Sequence, residues 1–154
     1  MTTRQAIDQF LGLHRLALVG VSRNPHDFSR MLFRELRREG YDIIPINPHL
    51  ADVDGTPCFG KIQDVSPPVE GALLLTSAEA SAEVVRDCVS AGVRHVWMHR
   101  SSGAGAVNSG AVAMCQEHDI ACVPGECPLM FLPRAGWFHR LHGFCRKILG
   151  HYPL

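Results

Sequence analysis

Apolar residues gather in short runs that recur along the chain: Leu16–Val21, Ile43–Ile46, Ala72–Leu75, His95–Met98 and Ile120–Val123. Each has strand length and is almost uniformly hydrophobic, the pattern of strands covered on both faces. Segments with helical spacing separate most of them. Phe28, Met31, Leu32 and Leu36 repeat at helical intervals, with Asp27 or Ser29 available as cap and Gly40 as terminator. Thr76 and Glu79 have the spacing of a capping box ahead of Ala82, Val85 and Val89, and Gly92 closes that helix. Val107, Ala111, Met114, Cys115 and His118 mark a third helix. Such alternation predicts βαβ units with right-handed crossovers: a doubly wound α/β fold, its mostly parallel sheet of five or slightly more strands carrying helices on both faces. The segment Asn47–Glu70 breaks the alternation, because Asp54-Gly55, Pro57, Pro67 and Pro68 divide it into turns and one short helical turn. Pro45 places the second strand near a sheet edge, where a missing N–H costs least.

The whole chain, 1–154, reads as one domain: an N-terminal helix over 1–14, a core over 15–127 and a basic amphipathic helix over 128–154. In the last segment Trp137, Leu141, Phe144, Ile148 and Leu149 have helical spacing, while Arg140, His142, Arg146 and Lys147 point elsewhere. The expected role of that helix is packing on the sheet or on a second copy in a homodimer. The alternative is an interaction module, in which the helix docks on an acidic membrane surface or a partner protein. No apolar run approaches the roughly 18 residues of a membrane span, and MTTRQAIDQF has no signal-peptide core, so a cytoplasmic protein is expected.

Charge changes the picture by exclusion. Basic and acidic residues balance at 15 each, which argues against a nucleic-acid partner. The cysteines, lacking any Cys-x-x-Cys, read as reduced and mostly structural, Cys88 and Cys115 on apolar helix faces. His139 and His142, with His118 or His151, lack the spacing of a zinc site, so no metal is expected.

In open parallel sheets ligands bind beyond the carboxyl ends of the strands, where strand order reverses. Here those ends are Gly20–Pro25, Asn47–His49, Thr76–Ala78, His99–Gly103 and Pro124–Cys127. Gly20-Val21-Ser22-Arg23-Asn24-Pro25 joins a strand to a helix. Turn amides, helix N-terminus and the Ser22 hydroxyl could together surround a phosphate. A dinucleotide fingerprint is missing, since Ser22 and Pro25 replace its second and third glycines. Asn47-Pro48 stands where an acid would hold an NAD ribose. There is no Gly-Lys-Ser/Thr of a P-loop.

A phosphate-bearing, nucleotide-like ligand without that fingerprint directs attention to a series of elements in order. They are Gly20–Pro25, Gly40-Tyr41, Ile44-Pro45-Ile46-Asn47-Pro48, Asp54-Gly55, Ile62-Gln63-Asp64-Val65, Val69-Glu70, Val96-Trp97 and Glu126-Cys127. In these the sequence resembles the stand-alone CoA-binding proteins, whose Rossmann-like domain also forms the nucleotide-binding half of the succinyl-CoA synthetase alpha subunit. The resemblance implies that coenzyme A or an acyl-CoA is the small-molecule ligand. It implies contacts to the pyrophosphate from Gly20, Ser22 and Arg23, with Asn24 in the same turn, Asn47 and Pro48 bordering the adenosine, and Thr76 and Ser77 lining the next strand end. Where the family continues Trp-x-Gln-x-Gly, this chain has Trp97-Met98-His99-Arg100, so His99 takes the place of the glutamine. The catalytic histidine of the synthetases lies in a second domain, so the resemblance implies binding without catalysis. Two enzymatic alternatives stand beside it: thioester or disulfide chemistry at Cys127, which alone among the cysteines follows a strand's carboxyl end, and a divergent NAD(P)-dependent reductase.

Overall fold

A computed structural model describes residues 1–100 and 103–133. Five parallel strands form the central sheet in the order β2-β1-β5-β6-β7: β1 (Arg15–Val19), β2 (Asp42–Ile46), β5 (Gly71–Leu74), β6 (His95–Met98) and β7 (Ala121–Pro124). A two-residue-per-strand antiparallel hairpin, β3 (Asp52–Val53) with β4 (Thr56–Pro57), fills part of the irregular connection between β2 and β5. That connection also holds a short 3-10 turn at Ile62–Asp64. The expected helical turn is therefore present, and Asp54-Gly55 is the tip of a hairpin.

Side-chain alternation along the strands divides the core into two layers. Leu16, Leu18, Leu73, Trp97 and Val123 face α1 (Thr3–Leu11) and α2 (Phe28–Arg38). Ala17, Val19, Leu74, Val96 and Met98 face α3 (Ala78–Ser90) and α4 (Ser109–Glu117). Both faces of β1, β2, β5 and β6 are thus dry, which explains their apolar runs in the sequence, while the edge strand β7 is only partly buried. Trp97 lies between the rings of Phe10 and Phe131, edge-on to both, and its indole N–H donates to the Glu126 carbonyl at 3.1 Å.

Helix ends follow their local chemistry. Thr2 and Gln5 form a capping box at α1, each side chain paired with the other's backbone N–H. Asp27 caps α2, and Asn108 caps α4. At α3 the expectation was misplaced by one residue: Ser77 is the cap, accepting from the Ala80 amide, while the Thr76 hydroxyl pairs with that of Ser81 at 2.9 Å. Pro45 does lie on an edge strand, with β2 outermost. Residues 128–133 begin with a 3-10 turn at Pro128–Met130 packed into the α1–α2 layer. The rest of the expected basic helix, from 134 on, lies outside the described residues, as do His139, His142 and His151. Among the described residues no helix is long and apolar enough to cross a membrane.

At the amino end of the sheet, the Glu70 carboxylate accepts the amides of Arg15 at 2.7 Å and His14 at 2.8 Å, which holds its pKa below the ordinary glutamate value. A carboxyl depressed in the folded state stabilises it above the unfolded pKa, and that contribution fades as pH falls through the folded value. Thermal melts should therefore show stability falling from about pH 4.3 downward, a slope that Glu70→Gln should flatten. An unchanged acid limb in the variant would show that these amide contacts do not couple to folding.

Candidate functional site

The first crossover, through α2, carries the chain to one side of β1. The return from β2 then brings it across to β5 on the other side. Strand order reverses between β1 and β5, so a crevice opens above their carboxyl ends. Strand register aligns those ends: Val19 pairs with both Ile46 and Leu74, and Gly20, Asn47 and Leu75 emerge side by side.

Gly20 has a φ of +95°, and a Cβ there would lie 2.9 Å from the Leu75 carbonyl oxygen. Glycine is required twice over, by the left-handed backbone and by the approach of two chain segments. This contact forms a lip with a cavity on each side. The larger, about 570 Å³, opens between the ends of β1 and β2 and one flank of α3. The smaller, about 200 Å³, lies between the start of α2 and the end of β6. Gly20 and Thr76 border both. A third cavity of about 800 Å³ lies away from this crevice, between α1, α4 and the β7 edge.

The structure gathers Gly20, Asn47, Pro48 and Thr76 around the larger cavity and sets His99 in the smaller one. Asn47 works as a brace. Its Nδ2 donates to the Val21 carbonyl at 2.8 Å, and its Oδ1 accepts the His49 amide at 2.8 Å. The side chain that stands in place of a ribose-binding acid is thus committed to holding the first turn against the end of β2. Ser77 is likewise committed, as the α3 cap.

The first turn differs from the simple expectation of helix amides facing a phosphate. Asp27 takes the Ser29 amide at 2.8 Å and also accepts from the Ser29 hydroxyl, placing a carboxylate at the start of α2. Ser29 Oγ accepts the Ser22 amide at 2.8 Å, and Ser22 Oγ accepts the Asn24 amide at 3.1 Å. Asn24 Oδ1 in turn accepts the His26 amide at 3.0 Å. Ser22 and Asn24 therefore shape the loop internally. Arg23 is exposed, and among the described residues neither its guanidinium nor its amide has a partner.

His99 is partly buried, its ring tilted over Phe28 with centroids 5.0 Å apart. Burial lowers its pKa, so the imidazole is neutral near pH 7, and Nε2 has no partner among the described residues. Cys127 is 6% exposed and packed in the α1–α2 layer. Burial pushes its thiol pKa up, Glu126 adds to that, and the amides of Leu129 and Met130 offset part of it. Such a thiol is protonated at neutral pH, which does not favour exchange or nucleophilic chemistry. Among the described residues no group of three His, Cys, Asp or Glu is placed to hold a metal.

Sequence reasoning missed much of the larger cavity. Gly60, Lys61, Ile62 and Asp64 supply one wall, and Ala80, Glu83, Val84 and Asp87 of α3 supply another. The α3 positions recur at helical spacing along its exposed to half-buried flank, where mixed polarity in the sequence does not by itself mark a cleft. The carboxylates of Asp64, Glu83 and Asp87 outnumber the single ammonium of Lys61 around this cavity. Its field favours hydrogen-bond donors over phosphates.

A doubly wound sheet with a two-lobed crevice at its switch point defines a nucleotide-type binding domain. The family model of the CoA binding domain matches residues 14–133, and the chain belongs to that family. A curated relative, the uncharacterized protein YneT of Bacillus subtilis, is 25% identical over 113 residues, covering 73% of this chain and 81% of that protein. A hypothetical protein from Pyrococcus horikoshii has the same fold with a TM-score of 0.75 at 23% identity, covering 83% of this chain and 87% of its own. An acetyl-coenzyme A synthetase from Ca. Korarchaeum cryptofilum superposes with a TM-score of 0.64 at 23% identity. There 74% of this chain matches 26% of the synthetase chain.

Gly20→Ala should cost at least about 1–2 kcal/mol from the left-handed backbone alone, before any displacement of Leu75. Urea denaturation measures this. A variant as stable as the parent would mean that the lip relaxes freely.

Proposed function

We propose that this domain binds coenzyme A, or an acyl-CoA, across the lip formed by Gly20 and Thr76. The adenosine occupies the larger cavity, where the carboxylates of α3 and Asp64 suit the adenine amino group and ribose hydroxyls as donors. The diphosphate crosses the turn at Gly20–Arg23, meeting the exposed Arg23 guanidinium. The remainder of the ligand runs toward the smaller cavity, where His99 offers an uncharged imidazole. The observation that carries this reading is an acidic cavity beside a turn, starting at the glycine lip, whose exposed Arg23 has no partner among the described residues. Family membership supplies the ligand class, and neither requires nor excludes chemistry on the bound thioester.

A thermal-shift panel with CoA, acetyl-CoA, CoA disulfide, NAD, NADP and ATP tests the reading. Ligand at a hundredfold its Kd should add about 2.7 kcal/mol of stability, with CoA or acetyl-CoA giving the largest shift. A larger shift with NAD or NADP would replace it with a nicotinamide-dependent function. Arg23→Ala should weaken CoA and dephospho-CoA equally, by about 1.5–3 kcal/mol for a charge-assisted contact, in calorimetric titration. A loss confined to CoA would move Arg23 to the ribose phosphate. No loss would remove it from the site.

A further inference from the structure

The β3–β4 hairpin, well removed from the first turn in sequence, reaches that turn through a buried arginine. Its tip, Asp54-Gly55, has both residues in the left-handed region, at φ +49° and +80°. The Asp54 carboxylate accepts from Arg30 Nη2 through one oxygen, and its other oxygen accepts from Arg34 Nε at 2.8 Å. Arg30 lies in the first turns of α2 and is only 8% exposed. Its Nη1 donates to the carbonyls of both Ser22 and Arg23, at 3.3 Å each. Arg34 Nη1 holds the Pro25 carbonyl at 3.1 Å.

The carbonyls after β1 are thus drawn toward α2 and the hairpin. In a trans peptide the C=O and the following N–H point in opposite directions. Holding the Ser22 carbonyl on Arg30 therefore turns the Arg23 amide the other way, and that amide has no acceptor among the described residues. Arg30 achieves this at a cost, since its Nε is buried and has no partner among the described residues. Only the arginine end of the pair is buried, Asp54 being exposed, and a pair so open to solvent adds little stability; its value lies in fixing a geometry.

We propose that Arg30, anchored by Asp54, is a positioning residue for the ligand's anionic portion. By this inference, which rests on the proposed CoA reading, Arg30 locks the Ser22–Arg23 peptide so that the Arg23 amide meets a diphosphate oxygen. Asp54→Asn keeps the shape of the hairpin tip while leaving Arg30 without its counter-charge. Arg30→Lys keeps the charge but loses the fork that spans two carbonyls and a carboxylate.

The test is calorimetric or NMR titration of the parent, Asp54→Asn and Arg30→Lys with CoA, ADP and adenosine. Either variant should weaken CoA and ADP by about tenfold or more, the loss of one charge-assisted contact, with adenosine held within about twofold. In the parent, ADP should shift the Arg23 amide resonance more than adenosine does. A purely structural role would weaken adenosine as much as ADP, and that result overturns the proposal. So does unchanged ADP affinity in a variant that folds, while CoA binding by the parent stands. Asp54→Asn that fails to fold leaves the decision to Arg30→Lys. A parent that binds neither CoA nor ADP overturns the positioning role and the CoA reading together.

Discussion

Two chain segments that leave the sheet in opposite directions have to pass each other above β1 and β5, and they do so at Gly20. The absence of a side chain there lets the first turn approach the Leu75–Thr76 peptide to a distance that a Cβ would forbid. From that contact follow the shape of both cavities and the direction in which the chain runs into α2. Asn47 braces the same turn from the β2 side, Ser29 from the α2 side, and Arg30 from beneath. The turn is consequently held by side chains on three sides, with Arg23 facing out.

The sheet and its four helices were legible in the sequence because four of the five strands are dry on both faces and the helices carry capping residues or terminal glycines. Pro45 marked the edge strand for the same reason that it cannot donate to a ladder. What the sequence hid was the division of labour among polar groups at the strand ends. Ser22, Asn24, Asn47 and Ser77 have residue types that suit either ligand contact or loop bracing, and only the backbone path assigns them to bracing. The cap at Ser77 rather than Thr76 is a shift of one residue, but it redirects the Thr76 hydroxyl from the helix end to Ser81. The α3 wall and Lys61 were invisible for a different reason. They enter the site by packing across the crevice rather than by following a strand. Cys127 shows the reverse error: its position after β7 was right, and its sulfur nevertheless faces inward.

The first turn, Asn47-Pro48 and Asp54-Gly55 are three of the motifs that carry the family resemblance, and the structure joins them into one connected set of hydrogen bonds. His99 departs from the family's glutamine, and here its burial makes it a neutral group beside Phe28. That replacement exchanges a flexible amide for a flat ring, and alters the smaller cavity while leaving the larger one untouched.

The outer margin of β2 has a different significance. Phe59 lies alongside it, donating its amide to the Pro45 carbonyl at 3.0 Å and accepting the Asn47 amide at 2.9 Å. Pro45 itself offers no N–H. An edge so occupied cannot readily recruit a strand from another molecule, which is how exposed sheet margins seed aggregation. The irregular connection that builds a wall of the crevice therefore also acts as a guard rail. Loop changes that reshape the cavity near Gly60 and Lys61 are constrained by the need to keep Phe59 in place, so the cavity's shape and the protection of the sheet edge are tied to the same few residues.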